Sequence, residues 1–198
     1  MKKIFSVVIL VVLCLSLCGC FDTTEKTIYD DFNQMSRVSY TDYSISVKRV
    51  ADGETLSSSY KIQTEMGVSK IEYYYEVLNP IEEVDGNFVV PEEYKSTKNG
   101  SVTVKNGKIV EANGEELNIN VTEIDGIALK FAESYFDDIS DKDNCFTAKV
   151  KNVDQLLGKH LACVNMTVEI EYTESQFKKV KISYMANDAS IETEYLFK

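Results

Sequence analysis

Apolar and polar side chains alternate with a period of two in six runs of this 198-residue chain. The apolar positions of the early runs are Tyr43, Ile45 and Val47; Tyr60, Ile62 and Thr64; and Ile71, Tyr73, Tyr75 and Val77. Three further runs, at 166–172, 180–184 and 191–197, repeat the pattern at the C-terminal end. Such alternation is typical of antiparallel strands with one buried and one solvated face. It predicts a single β-rich domain over residues 27–198.

Glycine-containing turns separate these runs. Asp52-Gly53 follows the first run, and Asn99-Gly100, Asn106-Gly107 and Asn113-Gly114 follow in the middle of the chain. Asn-Gly pairs favour type I′ turns because both residues tolerate positive φ. We therefore expect a meander of short strands between residues 99 and 120.

Three segments have helical spacing instead. Thr27 to Val38 places Ile28, Phe32 and Met35 on one stripe, and a short helix is expected at Val153 to Leu157. The strongest helical pattern runs from Ile127 to Ile139, with Phe131 and Tyr135 on its apolar face. Together with a strand at Phe146 to Val150, these segments predict an α+β fold, mainly antiparallel β: a curved open sheet (half-barrel) with helices packed on its apolar concave face.

Residues 1–19 are predicted to be an export leader. Lys2 and Lys3 precede an apolar run, Ile4 to Leu17, that is too short to span a bilayer and is followed by Leu17-Cys18-Gly19-Cys20. This pattern resembles the lipobox signal peptide of bacterial lipoproteins. The resemblance implies cleavage after Gly19 and a diacylglyceryl group on the Cys20 sulfur. It also implies a short tether at 20–26 and a domain held on the outer face of the cell membrane, or of the outer membrane in a Gram-negative host.

The leader sequence allows two other interpretations. Cys14, Cys18 and Cys20 could form a metal cluster, but thiolate ligands need a folded polar cage and these three lie in hydrocarbon-like sequence. The leader could also direct plain secretion without lipidation. Lipidation is the favoured interpretation, since an anchor of two or more acyl chains holds a domain stably at a membrane.

The mature chain is strongly acidic. Loss of Lys2 and Lys3 with the leader changes the net charge from −11 to −13. Phosphate backbones and anionic head groups repel such a body, so nucleic-acid binding is disfavoured. Contact with the membrane is therefore expected through the anchor alone.

Two cysteines, Cys145 and Cys163, remain outside the leader and the anchor. An even pair in an exported domain suggests a disulfide. Both, however, open predicted strands, and antiparallel neighbours place their starts at opposite ends. A disulfide and two free, buried thiols both stay open as alternatives.

No catalytic, cofactor or metal motif is present. His160, the only histidine, follows Gly158-Lys159 and suits a helix cap or a surface site better than a general base. Phosphate loops, nucleophile elbows and nucleotide fingerprints are absent, although a Ser-His-Asp or Cys-His set needs only to meet in space. The acidic stretch from Asp137 to Asp143 lacks the spacing of a calcium loop and is interpreted as a solvated helix end. We therefore predict a protein that is not an enzyme and has no cofactor or metal.

The order of elements resembles the LolA and LppX group of envelope lipoproteins and carriers: lipobox, short helix, meander, helix, strand, one-turn helix and three closing strands. The group has an unclosed, curved sheet with a concave apolar face, and several members hold acyl chains there. The resemblance implies a cavity between the sheet and the helix at 127–139. Its expected lining is Ile71, Tyr73, Tyr75, Val77, Phe131 and Tyr135, although the same residues would also serve as plain core.

Two functional classes follow. The first is a module that binds a lipid, another apolar small molecule or a lipidated partner in a half-barrel cavity. The second is a cell-envelope interaction or assembly protein with a filled core, which would bind another envelope protein through an exposed edge or patch.

Overall fold

One open, antiparallel sheet dominates the computed structural model, which describes residues 26–89, 91, 93–114 and 128–198. The strands are β1 (Asp42–Ala51), β2 (Glu54–Glu65), β3 (Val68–Leu78), β4 (Glu82–Val84), β5 (Asn87–Val89), β6 (Lys95–Lys105), β7 (Lys108–Gly114), β8 (Phe136–Lys142), β9 (Cys145–Val150), β10 (Val164–Tyr172), β11 (Phe177–Ala186) and β12 (Ala189–Phe197). The helices are α1 (Ile28–Met35), α2 (Val153–Leu157) and a 3₁₀ turn (Glu133–Tyr135). The leader and Cys20 lie outside the described residues.

The first and last strands of the chain are neighbours in the middle of the sheet. The ten strands are ordered β7-β6-β3-β2-β1-β12-β11-β10-β9-β8, and β4 and β5 form a separate hairpin. Along the chain, the main-sheet strands from β1 to β7 therefore run from the middle of the sheet to one edge. Strands β8 to β12 then run from the opposite edge back to the middle. Tyr43 of β1 faces Phe197, and Ile45 faces Tyr195. We call this β1–β12 junction the seam.

The two faces of the sheet differ in chemistry, as the alternation predicted. On one face, Lys179 pairs with Glu169 at 2.7 Å and with Glu171, and Lys181 pairs with Glu192 at 2.8 Å. The other face carries the buried apolar residues of the strands β1–β3, β6 and β8–β12. The prediction of a mainly antiparallel, open sheet is therefore confirmed.

The apolar face forms two core clusters that meet at the seam. The first joins α1, residues 129–136, α2 and strands β9–β11 around Phe32, Phe146 and Phe177, each of them fully buried. The second covers strands β1, β2, β3 and β6. Tyr40, Tyr195 and Phe197 pack against both clusters, so the two halves of the sheet share side chains.

Helix α1 begins at a capping box and packs the rings of Tyr29 and Phe32 against the first cluster. The Thr27 amide donates to Asp30 Oδ2 at 2.9 Å, and the Asp30 amide donates to Thr27 Oγ1 at 3.4 Å. The Phe32 ring makes edge contacts with Phe131 and Phe146, each at a centroid distance of 5.2 Å. The helix is shorter than predicted and ends at Met35.

The predicted helix at 127–139 is wrong over the residues that the structure describes. Residues 128–132 have no regular secondary structure, a 3₁₀ turn follows, and β8 starts at Phe136. A helix here would place Asp137 and Asp138 at its C-terminal end, where the helix dipole disfavours negative charge. In the strand, these carboxylates pair instead with Lys151 at 2.9 Å and Lys149 at 2.6 Å.

One predicted turn is also wrong. Asn99-Gly100 lies inside β6, whereas the predicted turns at Asp52-Gly53 and Asn106-Gly107 are confirmed. Asn113 and Gly114 close β7, and the residues beyond them lie outside the described ranges. The short helix at Val153–Leu157 and the three C-terminal strands are confirmed.

Candidate ligand groove

An open groove lies on the apolar face where the seam meets helix α2. Its volume is about 430 Å³. The sheet contributes Ile45, Val47, Ser58, Tyr60, Met166, Ile182, Tyr184, Ile191, Thr193 and Tyr195, and the α2 region contributes Leu157, Lys159 and Leu161. We call this feature the seam groove.

Strand register explains why the sheet is indented here. Ser58, Val47 and Thr193 lie side by side on β2, β1 and β12 and form a row of short side chains. The next row, two residues along, contains Tyr60, Ile45 and Tyr195. A short row beside a row with two tyrosines leaves space above the short side chains, because successive residues on one face stand about 7 Å apart.

Helix α2, which forms one wall of the groove, is positioned by the burial of Leu156 and by the left-handed glycine that ends the helix. Leu156 is fully buried in the first core cluster, and its carbonyl accepts a 2.9 Å hydrogen bond from the Lys130 amide. Gly158 ends the helix in the left-handed region at φ 65°, a conformation that glycine adopts without strain. The chain therefore reverses at Gly158 and brings Lys159 and Leu161 to the groove.

The Asp154 carboxylate holds the loop after α2 in place. Asp154 Oδ1 accepts from the Leu161 amide at 3.1 Å, and Asp154 Oδ2 is 2.8 Å from His160 Nδ1. The hydrogen bond from His160 lowers the Asp154 pKa, with a smaller contribution from the Leu161 amide, and the same bond raises the His160 pKa. His160 is thus a surface residue that helps to hold the groove wall.

The polar groups that line the groove are neutral, except for one lysine. Burial raises the pKa of the phenols of Tyr60, Tyr184 and Tyr195, so these side chains stay neutral at physiological pH. Lys159 is the one charged side chain among the lining residues, and it is exposed. Hydroxyl groups of Ser58 and Thr193 add neutral hydrogen-bonding positions.

The residues predicted to line a cavity are not among those that line the seam groove. Ile71 and Tyr73 are buried in the second core cluster, and Tyr75 packs against it. Val77 is half-buried near the end of β3. Phe131 is buried in the first cluster, with Tyr135 packed beside it. The predicted cavity needed a helix at 127–139, and the described part of that segment contains no α-helix, only the 3₁₀ turn at Glu133–Tyr135.

Sequence reasoning missed the groove-lining residues Met166, Tyr184, Tyr195 and Lys159. The first three occupy inward positions of the predicted strands, so the alternation marked them as buried. Their meeting with β1 and β2 depends on the pairing of β12 with β1. No local pattern in the sequence specifies that long-range contact.

Cys145 and Cys163 are free thiols, and the possible disulfide is not formed. Cys145 faces Glu171 near the end of β10, whereas Cys163 directly precedes the start of that strand. The two residues therefore lie at opposite ends of β10, too far apart for a bridge. Burial raises the pKa of both thiols, with nearby acidic groups adding to the effect.

Three carboxylates of the acidic stretch, those of Asp137, Asp138 and Asp141, form ion pairs or hydrogen bonds from β8. Besides the two lysine pairs described above, Asp141 accepts a 2.9 Å hydrogen bond from the Tyr172 hydroxyl, and the phenol pKa rises to about 12, mainly through burial. Among the described residues, no group of three His, Cys, Asp or Glu side chains could hold a metal ion. The predicted solvated helix end is therefore a strand with paired carboxylates.

The chain matches no model of a known protein family and no curated protein sequence. Within the described ranges, no helix has the length and hydropathy needed to cross a bilayer. Functional inference therefore depends on the residues and their geometry.

Proposed function

We propose that this protein is a non-catalytic bacterial lipoprotein, anchored outside the cytoplasm through Cys20, that binds an apolar ligand in the seam groove. The ligand is a lipid, or the acyl chain of a lipidated partner. In this proposal the sheet curves as a half-barrel, and the groove is the accessible part of its concave face.

The seam groove carries the proposal. Its volume of about 430 Å³ falls within the usual range for small-molecule sites, roughly 300 to 1,000 Å³. An apolar lining with a few hydroxyl groups is the usual composition of such sites. The lipobox leader supports the location, since it resembles the leaders that receive a diacylglyceryl anchor.

Catalysis is left out of the proposal on chemical grounds. The groove contains neutral phenols and hydroxyls, and His160 is bonded to Asp154 outside the lining. Cys163 would need a base to become a nucleophile, and its pKa is raised by burial. These groups suit orientation of a ligand better than bond breaking.

The first experiment is native mass spectrometry with lipid extraction on the protein purified from a bacterial membrane fraction. We expect a co-purifying lipid bound at a one-to-one ratio. Ser58→Trp should abolish this adduct by filling the groove. Ser59→Trp is the matched control, because it introduces the same ring at the adjacent, exposed position of β2. An apo mass with no lipid, or equal loss in both variants, would contradict the proposal.

A second function, binding to an envelope protein, is favoured by one observation. The β4–β5 hairpin lies outside the main sheet and exposes Phe88, at 78%, and Val89, and Ile81 is exposed just before it. Exposed apolar clusters of this kind mark interaction surfaces. A photo-crosslinker at position 88, installed in living cells, should then give one adduct of defined mass, and the same crosslinker at Lys108 should give none. Equal labelling at both positions would contradict this second function.

A further inference from the structure

We infer that the ligand of the seam groove is a single-chain amphiphile with a carboxylate head group, and that Lys159 binds this head group. The inference rests on the proposed function and adds the ligand class. Its basis is the position of the one charged side chain in the groove and the neutrality of every other polar group there.

Charge complementarity argues for an anion. Lys159 is the one ionic group in the lining, and the ion pairs between described residues do not include it. The nearest carboxylate in sequence, Asp154, is already bonded to His160 and to the Leu161 amide. The ammonium group is therefore available to a ligand.

The acidic body of the protein does not cancel this local attraction. Interactions between exposed charges fade over about 8 Å at physiological ionic strength. An anion beside Lys159 therefore responds mainly to the lysine and to nearby hydroxyl dipoles. At longer range, the net negative charge of the chain opposes anions in general.

The geometry of the lysine suits an amphiphile. Leu157 and Leu161 lie on either side of Lys159 along the chain, and all three line the groove. A lysine in such surroundings lays its apolar stem along the wall and keeps its ammonium group in water at the rim. An acyl chain would then lie on Val47 and Ile182, with its carboxylate at the solvent side.

One cation and a small volume favour one head group and one chain. A singly charged carboxylate balances one lysine, whereas phosphate is usually bound by several donors or by the forked guanidinium of arginine. The groove volume of about 430 Å³ is near the lower end of the range for ligand sites. This size favours a single-chain acid over a two-chain lipid.

The test uses the full chain in discs of zwitterionic phosphatidylcholine. Two photoactivatable probes, a C16 fatty acid and the matching C16 alcohol, are crosslinked, and labelled peptides are identified by mass spectrometry. We expect the acid to label peptides containing Tyr60 or Met166 roughly two- to fivefold more than the alcohol, the effect of a partly exposed ion pair. Lys159→Glu should remove this preference, and Lys159→Arg should keep it.

Lys142→Glu is the control, because it makes the same charge change at an exposed lysine outside the groove. Circular dichroism of each variant checks the fold, and the alcohol signal provides an internal measure of an intact groove. Equal labelling by acid and alcohol, unchanged in Lys159→Glu, would overturn the inference and leave the proposed function standing. Failure of both probes to label the groove would overturn the proposed function as well.

Discussion

Gly100 is needed because of the aromatic ring that faces it. It lies directly opposite Tyr73 in the β3–β6 ladder, in the middle of a strand. A Cβ at this position would be 2.7 Å from the Tyr73 Cζ atom and 2.5 Å from the Asn113 carbonyl oxygen. The Asn99-Gly100 pair therefore accommodates a tyrosine ring and does not make a turn, which the local sequence pattern alone could not reveal.

A methyl group at Gly100 should therefore destabilise the protein. We expect Gly100→Ala to lower the free energy of unfolding by about 1 to 3 kcal/mol, the usual cost of overpacking. Urea denaturation of Gly100→Ala and of the neighbouring control Ser101→Ala would measure it. Equal midpoints for the two variants would show that β6 moves aside without cost.

The Asp154–His160 pair predicts a pH window for stability. The His160 pKa is raised above 6.5, so its contribution is complete below that pH and is lost as pH rises through the folded-state value. The Asp154 pKa is lowered below 3.8, so its contribution is present above that pH and is lost as pH falls through the folded-state value. The difference in Tm between wild type and His160→Gln should therefore be largest between pH 3.8 and pH 6.5, and should shrink on either side as the pH passes the folded-state pKa of each group. A difference that does not vary with pH would contradict the pair's role.

At the scale of elements, one asparagine joins helix α1 to the segment before β8. The Asn33 Nδ2 group donates to the Phe131 carbonyl at 2.8 Å, and Asn33 Oδ1 accepts from the Phe131 amide at 2.9 Å. The side chain thus satisfies both backbone groups of a residue that has no strand partner in this structure. This contact explains how an irregular segment can be part of the core without leaving polar groups unpaired.

Removal of that amide should loosen the segment. Asn33→Ala leaves a partly buried N–H and C=O without a protein partner, and we expect a loss of about 1 to 3 kcal/mol in unfolding free energy. Amide exchange at Phe131 should also accelerate. Gln34→Ala, at the adjacent exposed position, is the control and should have little effect on either measurement.

Strands with a clear period of two were predictable from the sequence. The segment from Phe131 to Ile139, whose apolar residues have helical spacing, was not. Tyr43 to Val47 and Ile191 to Phe197 alternate strictly, and both form strands. The segment around Phe131 to Ile139 fits a helical stripe, yet the carboxylates of Asp137 and Asp138 pair with Lys151 and with Lys149 of β9. Those partners come from tertiary structure, so local periodicity gave the wrong element.

At the scale of the whole molecule, the seam couples the two halves of the sheet. Tyr40 illustrates the coupling: its hydroxyl accepts from the Phe177 amide at 2.8 Å, and its ring lies 4.1 Å from that of Phe197. Because both clusters share such residues, we expect one cooperative unfolding transition. Amides of β3 and β10 should then exchange with free energies within about 1 kcal/mol of each other. Markedly faster exchange throughout β3 would show that the halves unfold separately.

The candidate site was only partly predictable for the same reason. Alternation identified the apolar face that carries Ile182, Tyr184 and Tyr195. It could not show that β12 lies beside β1, nor that the row containing Ser58 and Thr193 would be short enough to leave a groove. Strand order depends on contacts between distant parts of the chain, which no local pattern encodes.

The adjacency of β1 and β12 also has a consequence for biosynthesis. The ribosome makes β1 among the first elements and β12 last, so β1 keeps an unpaired edge until the final nine-residue strand has emerged. Pairing across such a long sequence separation is also intrinsically slow. During export through the proposed leader, the sheet would therefore stay incomplete until β12 joins β1.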